Sequence, residues 1–255
     1  MNIWGKIIGG AAGFALGGPI GGLVGAIAGH AVDSAVDSYV TESQPDPQGR
    51  EVAFTIALIA LSAKMAKADG AVTRDEILAF RQKVDIPSGD INHVSRLWDL
   101  ARQTPDGFDG YAKQLAKMFP PASPILDQLM ELLFFIARAD GDITEREEDY
   151  LRQVAIILGF DDAGFERLCL IHGKAENNPY QVLGVHPDDD DQSIRQAWIT
   201  LAKDHHPDQL TAAGLPEEFI RAANERLAKI NTAYEEITRL RQKGKEDTEE
   251  GVVHG

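Results

Sequence analysis

The chain has 255 residues and carries 40 acidic against 25 basic side chains, a formal charge of −15. That balance excludes nonspecific nucleic-acid binding, which needs a basic surface, and the length leaves room for two small domains plus extra segments. The single cysteine, Cys169, lies in the apolar run Leu168-Cys169-Leu170-Ile171. It cannot form an internal disulfide, which fits a reducing compartment, and it reads as a buried, inert thiol.

Residues 1–40 read as a glycine-rich membrane-anchor segment. Ile7 to Gly29 contains no charged residue, and Gly5, Gly9, Gly13, Gly17, Gly21, Gly25 and Gly29 recur at every fourth position. One helix over that uncharged span would be about 35 Å long at ~1.5 Å per residue, enough to cross a hydrocarbon core of ~30 Å. Glycines four apart let helix backbones approach closely in lipid, so Gly9, Gly13, Gly17, Gly21, Gly25 and Gly29 are the expected packing positions for self-association. The stripe drifts by ~40° per step, so a straight partner helix covers only part of it. A cleaved signal peptide fits poorly, because the n-region is weak and glycines run through the stretch. Lys6 precedes the span while Asp33 and Asp37 follow it, which by charge alone favours a cytoplasmic N-terminus.

Residues 41–49, rich in Pro, Gly, Ser and Gln, read as a linker. Beyond it, residues 50–172 contain an internal echo. Ala66-Lys67-Ala68-Asp69-Gly70-Ala71-Val72-Thr73-Arg74-Asp75-Glu76 recurs as Ala137-Arg138-Ala139-Asp140-Gly141-Asp142-Ile143-Thr144-Glu145-Arg146-Glu147. In each copy the spacing predicts an apolar helix ending at Asp-Gly, then a capping box, Thr73 with Glu76 and Thr144 with Glu147, opening the next helix. The acidic turns (Asp69, Asp140, Asp142, Glu147) invite a metal reading. They fail the calcium-loop pattern, with Glu145 where glycine is needed and Leu151 at the twelfth position. Turn and cap chemistry explain them, so no metal and no cofactor is expected. This helix-turn-helix repeat resembles the all-helical TerB-like fold of tellurite-resistance proteins.

After a short linker at 173–177, residues 178–241 carry the most specific pattern. Ile194, Ala197, Trp198, Leu201 and His205 are spaced three and four apart, as are Ile220, Ala223, Leu227, Ile230, Tyr234 and Ile237. Between these two amphipathic helices lies His206-Pro207-Asp208, where proline stops the first helix. Pro216, Glu217 and Glu218 then suit the start of the second. The spacing predicts an antiparallel hairpin with a histidine and a carboxylate near its tip. His205 is expected to pack, and Trp198 and Tyr234 to fill the hairpin. A second copy, His186-Pro187-Asp188, leads into Asp189, Asp190 and Asp191, which read as cap and first-turn residues. Residues 242–255 form a charged tail, and the stretch Arg241–Glu250 is expected to be solvated or unstructured.

Asn178-Pro179-Tyr180-Gln181-Val182-Leu183-Gly184-Val185, the first helix of the hairpin, His-Pro-Asp, and Ile230-Asn231-Thr232-Ala233-Tyr234-Glu235 together resemble a J domain, the part of Hsp40 co-chaperones that stimulates ATP hydrolysis by Hsp70. In that family's layout the working tripeptide lies between the second and third helices, which points to 206–208. The order of anchor, TerB-like region and J domain resembles the bacterial membrane-anchored J proteins of the DjlA type. So do Trp4-Gly5-Lys6-Ile7-Ile8-Gly9, Gly29-His30, and His205-His206-Pro207-Asp208 followed by Leu210 and Gly214-Leu215-Pro216.

The expected fold is therefore all-α: a membrane helix, a TerB-like helical domain and a J-domain hairpin. The resemblance implies a co-chaperone with no active site of its own, acting on a DnaK-type Hsp70 through His206, Pro207 and Asp208, with Arg195 and Lys203 as basic contacts. Ile199, Thr200 and Asp204 stand where the family often has basic residues, and Gln209 replaces the usual lysine or arginine, so slower or more selective engagement is expected. The glycine/phenylalanine-rich linker and zinc-binding cysteines of general DnaJ proteins are absent from the sequence. The implied location is the bacterial inner membrane, single-pass, with both domains in the cytoplasm. That requires the orientation opposite to the one Lys6 favours. The alternative is a membrane scaffold working through the TerB-like domain, with a weak or vestigial J domain.

Overall fold

The computed structural model describes residues 3–8, 18–27, 47–69, 74–103, 107–172 and 178–253. Every regular element among them is helical, as the sequence predicts. The N-terminal pieces are α1 (Ile3–Ile8) and α2 (Gly18–Ile27). At the centre is α3 (Pro47–Asp69), which begins within the expected linker. Proline is tolerated as its first residue because the N–H it lacks would have no intrahelical acceptor.

From Val52 to Leu61 every side chain of α3 is fully buried, Thr55 included. Thr55 satisfies its hydroxyl by donating to the Glu51 carbonyl at 3.0 Å. A helix without a polar face has to be covered on all sides. The cover comes from α1, α2, α5 (Ile91–Gln103), α6 (Phe108–Ala116), α7 (Pro124–Ala137) and α8 (Glu145–Ile157). Outside these, α4 (Arg74–Lys83) and α9 (Asp162–His172) pack on α7.

The second copy of the internal echo folds largely as its residues predict. Thr144 and Glu147 form a reciprocal capping box: the Glu147 N–H donates to Thr144 Oγ1 at 3.3 Å, and the Thr144 N–H donates to Glu147 Oε2 at 2.9 Å. Helix α8 is then tied to the centre by the Tyr150 hydroxyl, which donates to the Leu61 carbonyl at 2.8 Å. One detail differs: α7 ends at Ala137, short of the expected Asp140-Gly141 stop, so a few residues of turn separate the two helices. The matching turn at Gly70 and the Thr73–Glu76 side chains lie outside the described residues, as do residues 41–46 and 173–177.

The expected continuous helix over Ile7–Gly29 is interrupted. Gly18 has φ +59, because Pro19 disfavours helical geometry in the residue before it and glycine accepts a positive φ without a Cβ clash. Gly21 and Gly25 lie within α2, while Gly9, Gly13, Gly17 and Gly29 fall outside the described residues. Ile3, Trp4, Ile7, Ile20 and Leu23 are buried against the helical core at 0–2% exposure. Among the described residues no helix is long and apolar enough to cross a membrane.

Residues 178–253 supply α10 (Pro179–Leu183), α11 (Asp191–Asp204), α12 (Pro207–Ala213), a single 3₁₀ turn over Glu217–Phe219, and α13 (Ile220–Val253). The long helix starts at Ile220, four residues after Pro216, and continues through the charged stretch, for which a solvated or unstructured tail is expected. Arg241 accounts for part of this continuation: it donates to Asp191 Oδ1 at 2.8 Å and to the carbonyls of Pro187 and Asp189 at 2.6 Å each.

Two cores divide this region. Val182, Leu183, Ile194, Ile230, Ala233 and Ile237 form a small cluster of their own. Leu210, Leu215, Phe219, Ala222 and Ala223 belong instead to the cluster around α3. Phe219 meets Phe54 edge-on at 5.3 Å, and the Asp85 N–H donates to the Glu218 carbonyl at 3.0 Å. Gly214 closes the seam with φ +114, where an added Cβ would stand 3.0 Å from Arg50 Cβ and 3.6 Å from a Phe119 ring carbon. Gly214→Ala should therefore lower stability by about 1–3 kcal/mol through strain and crowding, read as a melting temperature several degrees below wild type in a thermal scan.

Candidate functional site

Helix α11 is begun and ended by local chemistry. Asp190 caps its N-terminus, accepting the Ser193 N–H at 2.6 Å, and that hydrogen bond holds the Asp190 carboxyl below its ordinary range. His205 closes the helix, donating its N–H to Leu201 at 2.9 Å. Pro207 then opens α12, with His206 as N-cap in extended geometry (φ −65, ψ 133). The His206 ring takes part in the cap: its Nδ1 accepts the Asp208 N–H at 3.2 Å. An acceptor at Nδ1 leaves the proton of the neutral ring on Nε2. The tripeptide thus offers one ring donor and one carboxylate acceptor, with the His206 side chain 48% exposed and the Asp208 side chain 89% exposed. Pro207, between them, is buried.

Along α11, Arg195 and Lys203 are exposed on the same helix that leads into the tripeptide. Ile199 is exposed as well, and with Gln209 it leaves this face short of positive charge, as the sequence predicts. The hairpin is braced by Trp198 and Tyr234, stacked at 4.4 Å and 9°, with the indole N–H donating to Asn231 Oδ1 at 2.8 Å. Both rings are half-buried rather than enclosed.

The second tripeptide has the same local geometry. The Asp188 N–H donates to His186 Nδ1 at 3.2 Å, matching the bond at 206–208. Position separates the copies. His186-Pro187-Asp188 lies before α11, clamped by Arg241 from far along α13, whereas His206-Pro207-Asp208 lies at the turn between α11 and α12.

Behind the tripeptide lies a buried charge cluster that the sequence reading did not identify. Asp127, Gln128 and Glu131 on α7 are 0–8% exposed. Arg226 of α13 is 1% exposed and reaches both acids, Nη2 to Asp127 Oδ2 at 3.9 Å and Nε to Glu131 Oε2 at 3.7 Å. His205 Nε2 stands 3.5 Å from Asp127 Oδ2, Arg167 Nη2 is 3.6 Å from Asp127 Oδ1, and Lys229 Nζ is 3.6 Å from Glu131 Oε1. The sequence held a signal: two acids one helical turn apart in the run from Pro124 to Ala137, which is apolar but for them and Gln128, on a helix that therefore needs a cationic partner. Burial raises the Glu131 carboxyl, with Arg226 and Lys229 pulling the other way. Burial lowers the His205 imidazole despite Asp127, and it lowers the neighbouring His172 well below the ordinary value, helped by Arg226 and Lys229. Cys169 is half-buried and its thiol is pushed up to about 11, chiefly by burial, so it stays protonated at neutral pH.

Family models match the chain in three consecutive blocks: co-chaperone DjlA transmembrane domain over residues 1–45, tellurite resistance protein TerB over residues 55–170, and DnaJ domain over residues 178–245. Curated relatives carry the name Co-chaperone protein DjlA. That of Photobacterium profundum is 29% identical over 229 residues, covering 76% of this chain and 80% of the relative. That of Coxiella burnetii is 28% identical over 200 residues (69% and 73%), and that of Vibrio cholerae 28% over 227 (76% and 80%). No solved structure matches the chain.

The three matches in this order, with the relatives' shared name, support a DjlA-type co-chaperone. The chain is a membrane-anchored co-chaperone with a J domain, and both His-Pro-Asp copies, at 186–188 and 206–208, fall inside the DnaJ match.

The cluster gives this co-chaperone a pH dependence. His172 stays neutral in the fold well below the ordinary histidine pKa of about 6.5, while in the unfolded chain it protonates near that value. The unfolded state therefore binds more protons as pH falls below ~6.5, and stability is lost there at up to ~1.4 kcal/mol per pH unit. His205 acts in the same direction. Glu131, with its raised pKa, acts in the opposite one. Melting temperatures measured between pH 7.5 and 5.5 should accordingly show a flatter slope for His172→Gln than for wild type.

Proposed function

We propose that this co-chaperone engages a DnaK-type Hsp70 through His206, Pro207 and Asp208, assisted by Arg195 and Lys203, and thereby promotes hydrolysis of the ATP bound to its partner. The observation that carries the reading is the exposed His206–Asp208 pair on the hairpin turn, continuous with the basic positions of α11. The chain's own contribution is recognition and orientation: a ring donor, a carboxylate acceptor and a proline that fixes their spacing. The chemistry of hydrolysis belongs to the partner. In single-turnover ATP hydrolysis by DnaK, His206→Gln in the full chain should lose most of the stimulation, while His186→Gln should change it little. Equal losses from both would overturn the assignment, and a wild-type chain without stimulation would favour a scaffold working through the TerB-like region.

Anchoring is proposed to be single-pass in the bacterial inner membrane, with the TerB-like and J regions in the cytoplasm, where a DnaK-type partner and its ATP are found. An apolar segment buries itself against whatever apolar surface is available. In this structure that surface is the helical core, on which Ile3, Trp4, Ile7, Ile20 and Leu23 pack; in a bilayer the same side chains face lipid. Glycines at four-residue spacing support self-association there. Gly17→Leu together with Gly21→Leu should weaken cross-linking between copies in membranes while leaving carbonate-resistant insertion intact. Cross-linking that persists undiminished would remove the glycines from the contact, and recovery of the wild type in the soluble fraction would remove the anchor.

A further inference from the structure

We propose that the TerB-like region positions the His-Pro-Asp tripeptide, with Asp127 as the positioning residue acting through His205 and Arg226. The proposal rests on the functional reading above and adds a dependence that the J domain alone would not have.

The residues flanking the tripeptide are held by the TerB-like core. On the N-terminal side, the His205 side chain is 5% exposed and lies 3.5 Å from Asp127 Oδ2. On the C-terminal side, Leu210, Leu215 and Phe219 lie in the cluster built around α3. Arg226, two turns into α13, returns to the same carboxylate at 3.9 Å. One acid on α7 therefore faces both strands of the chain that enclose the turn. None of these residues belongs to the separate cluster of Val182, Leu183, Ile194, Ile230, Ala233 and Ile237 that holds α10, α11 and the middle of α13 together.

The arrangement also leaves the working face open. His206, Asp208, Arg195 and Lys203 all remain exposed while the residues behind them are buried. The seam thus presents the tripeptide instead of covering it. A recognition turn held in one geometry before encounter loses less conformational entropy on binding. Removing one charge from a dry cluster leaves its partners uncompensated, so the flanks should shift rather than relax around the gap.

The test uses the full chain in lipid nanodiscs with DnaK, at a temperature well below the melting point of every variant. Asp127→Asn should raise the concentration for half-maximal stimulation by roughly fivefold or more, the scale of a coupling between linked sites, and Asp127→Glu should recover part of it. Hydrogen exchange should quicken at the Asp208 amide, which His206 Nδ1 holds, while Val182, Ile194 and Ile237 keep their protection. Should Asp127→Asn not fold, Glu131→Gln probes the same cluster through Arg226. Unchanged stimulation in a folded variant overturns the proposal. So does faster exchange throughout the TerB-like helices with stimulation per folded molecule intact, since that is a structural brace and no more. A full-strength His206→Gln variant would instead overturn the functional reading itself.

Discussion

The rest of the structure depends on covering α3. Ten consecutive side chains from Val52 to Leu61 are fully buried, and a helix with no polar face can sit only where apolar surface surrounds it. The TerB-like helices provide most of that surface, but not all. Helices α1 and α2 add Ile3, Trp4, Ile7, Ile20 and Leu23, and the J region adds Phe219, which meets Phe54 edge-on. One demand for burial thus connects three stretches of sequence that family models treat as separate modules.

In the proposed function the consequence runs through the tip of the J-domain hairpin. Both copies of His-Pro-Asp fold into the same histidine-capped turn, so local chemistry does not distinguish them. Their surroundings do. The earlier copy is fastened by Arg241 to the distal part of α13, and the later one stands where α11, α12 and the TerB-like core converge. The clamp at Arg241 also accounts for α13 holding helical geometry beyond the hairpin core as far as that residue: a guanidinium is joined there to two carbonyls and a carboxylate.

Charge inside the seam follows the same logic. Asp127 and Glu131 are expensive to bury alone, and Arg226, His205, Arg167 and Lys229 converge on them from three other helices or their ends. Such a cluster is selective more than it is stabilising, because only one docking of the J region brings Arg226, Lys229 and the neutral His205 ring to those acids. Burial keeps His172 and His205 neutral where exposed imidazoles would begin to charge, so the seam is best matched to neutral pH.

What the sequence determined by itself is whatever nearest neighbours along the chain can enforce. The Thr144–Glu147 capping box, the proline stop before α12, the two amphipathic faces of the hairpin and the exposed Arg195 and Lys203 were all legible, since each rests on spacings of three or four residues. The thin basic face was legible for the same reason. Tertiary structure alone decided the ion cluster that joins α7 to α13, whereas the break at Gly18 follows from Pro19 beside it. Arg226 and Asp127 are almost a hundred residues apart, and nothing in the local pattern of either names the other. Their pairing is fixed by long-range packing around α3, where burying apolar surface leaves a single arrangement in which two buried acids meet their cations.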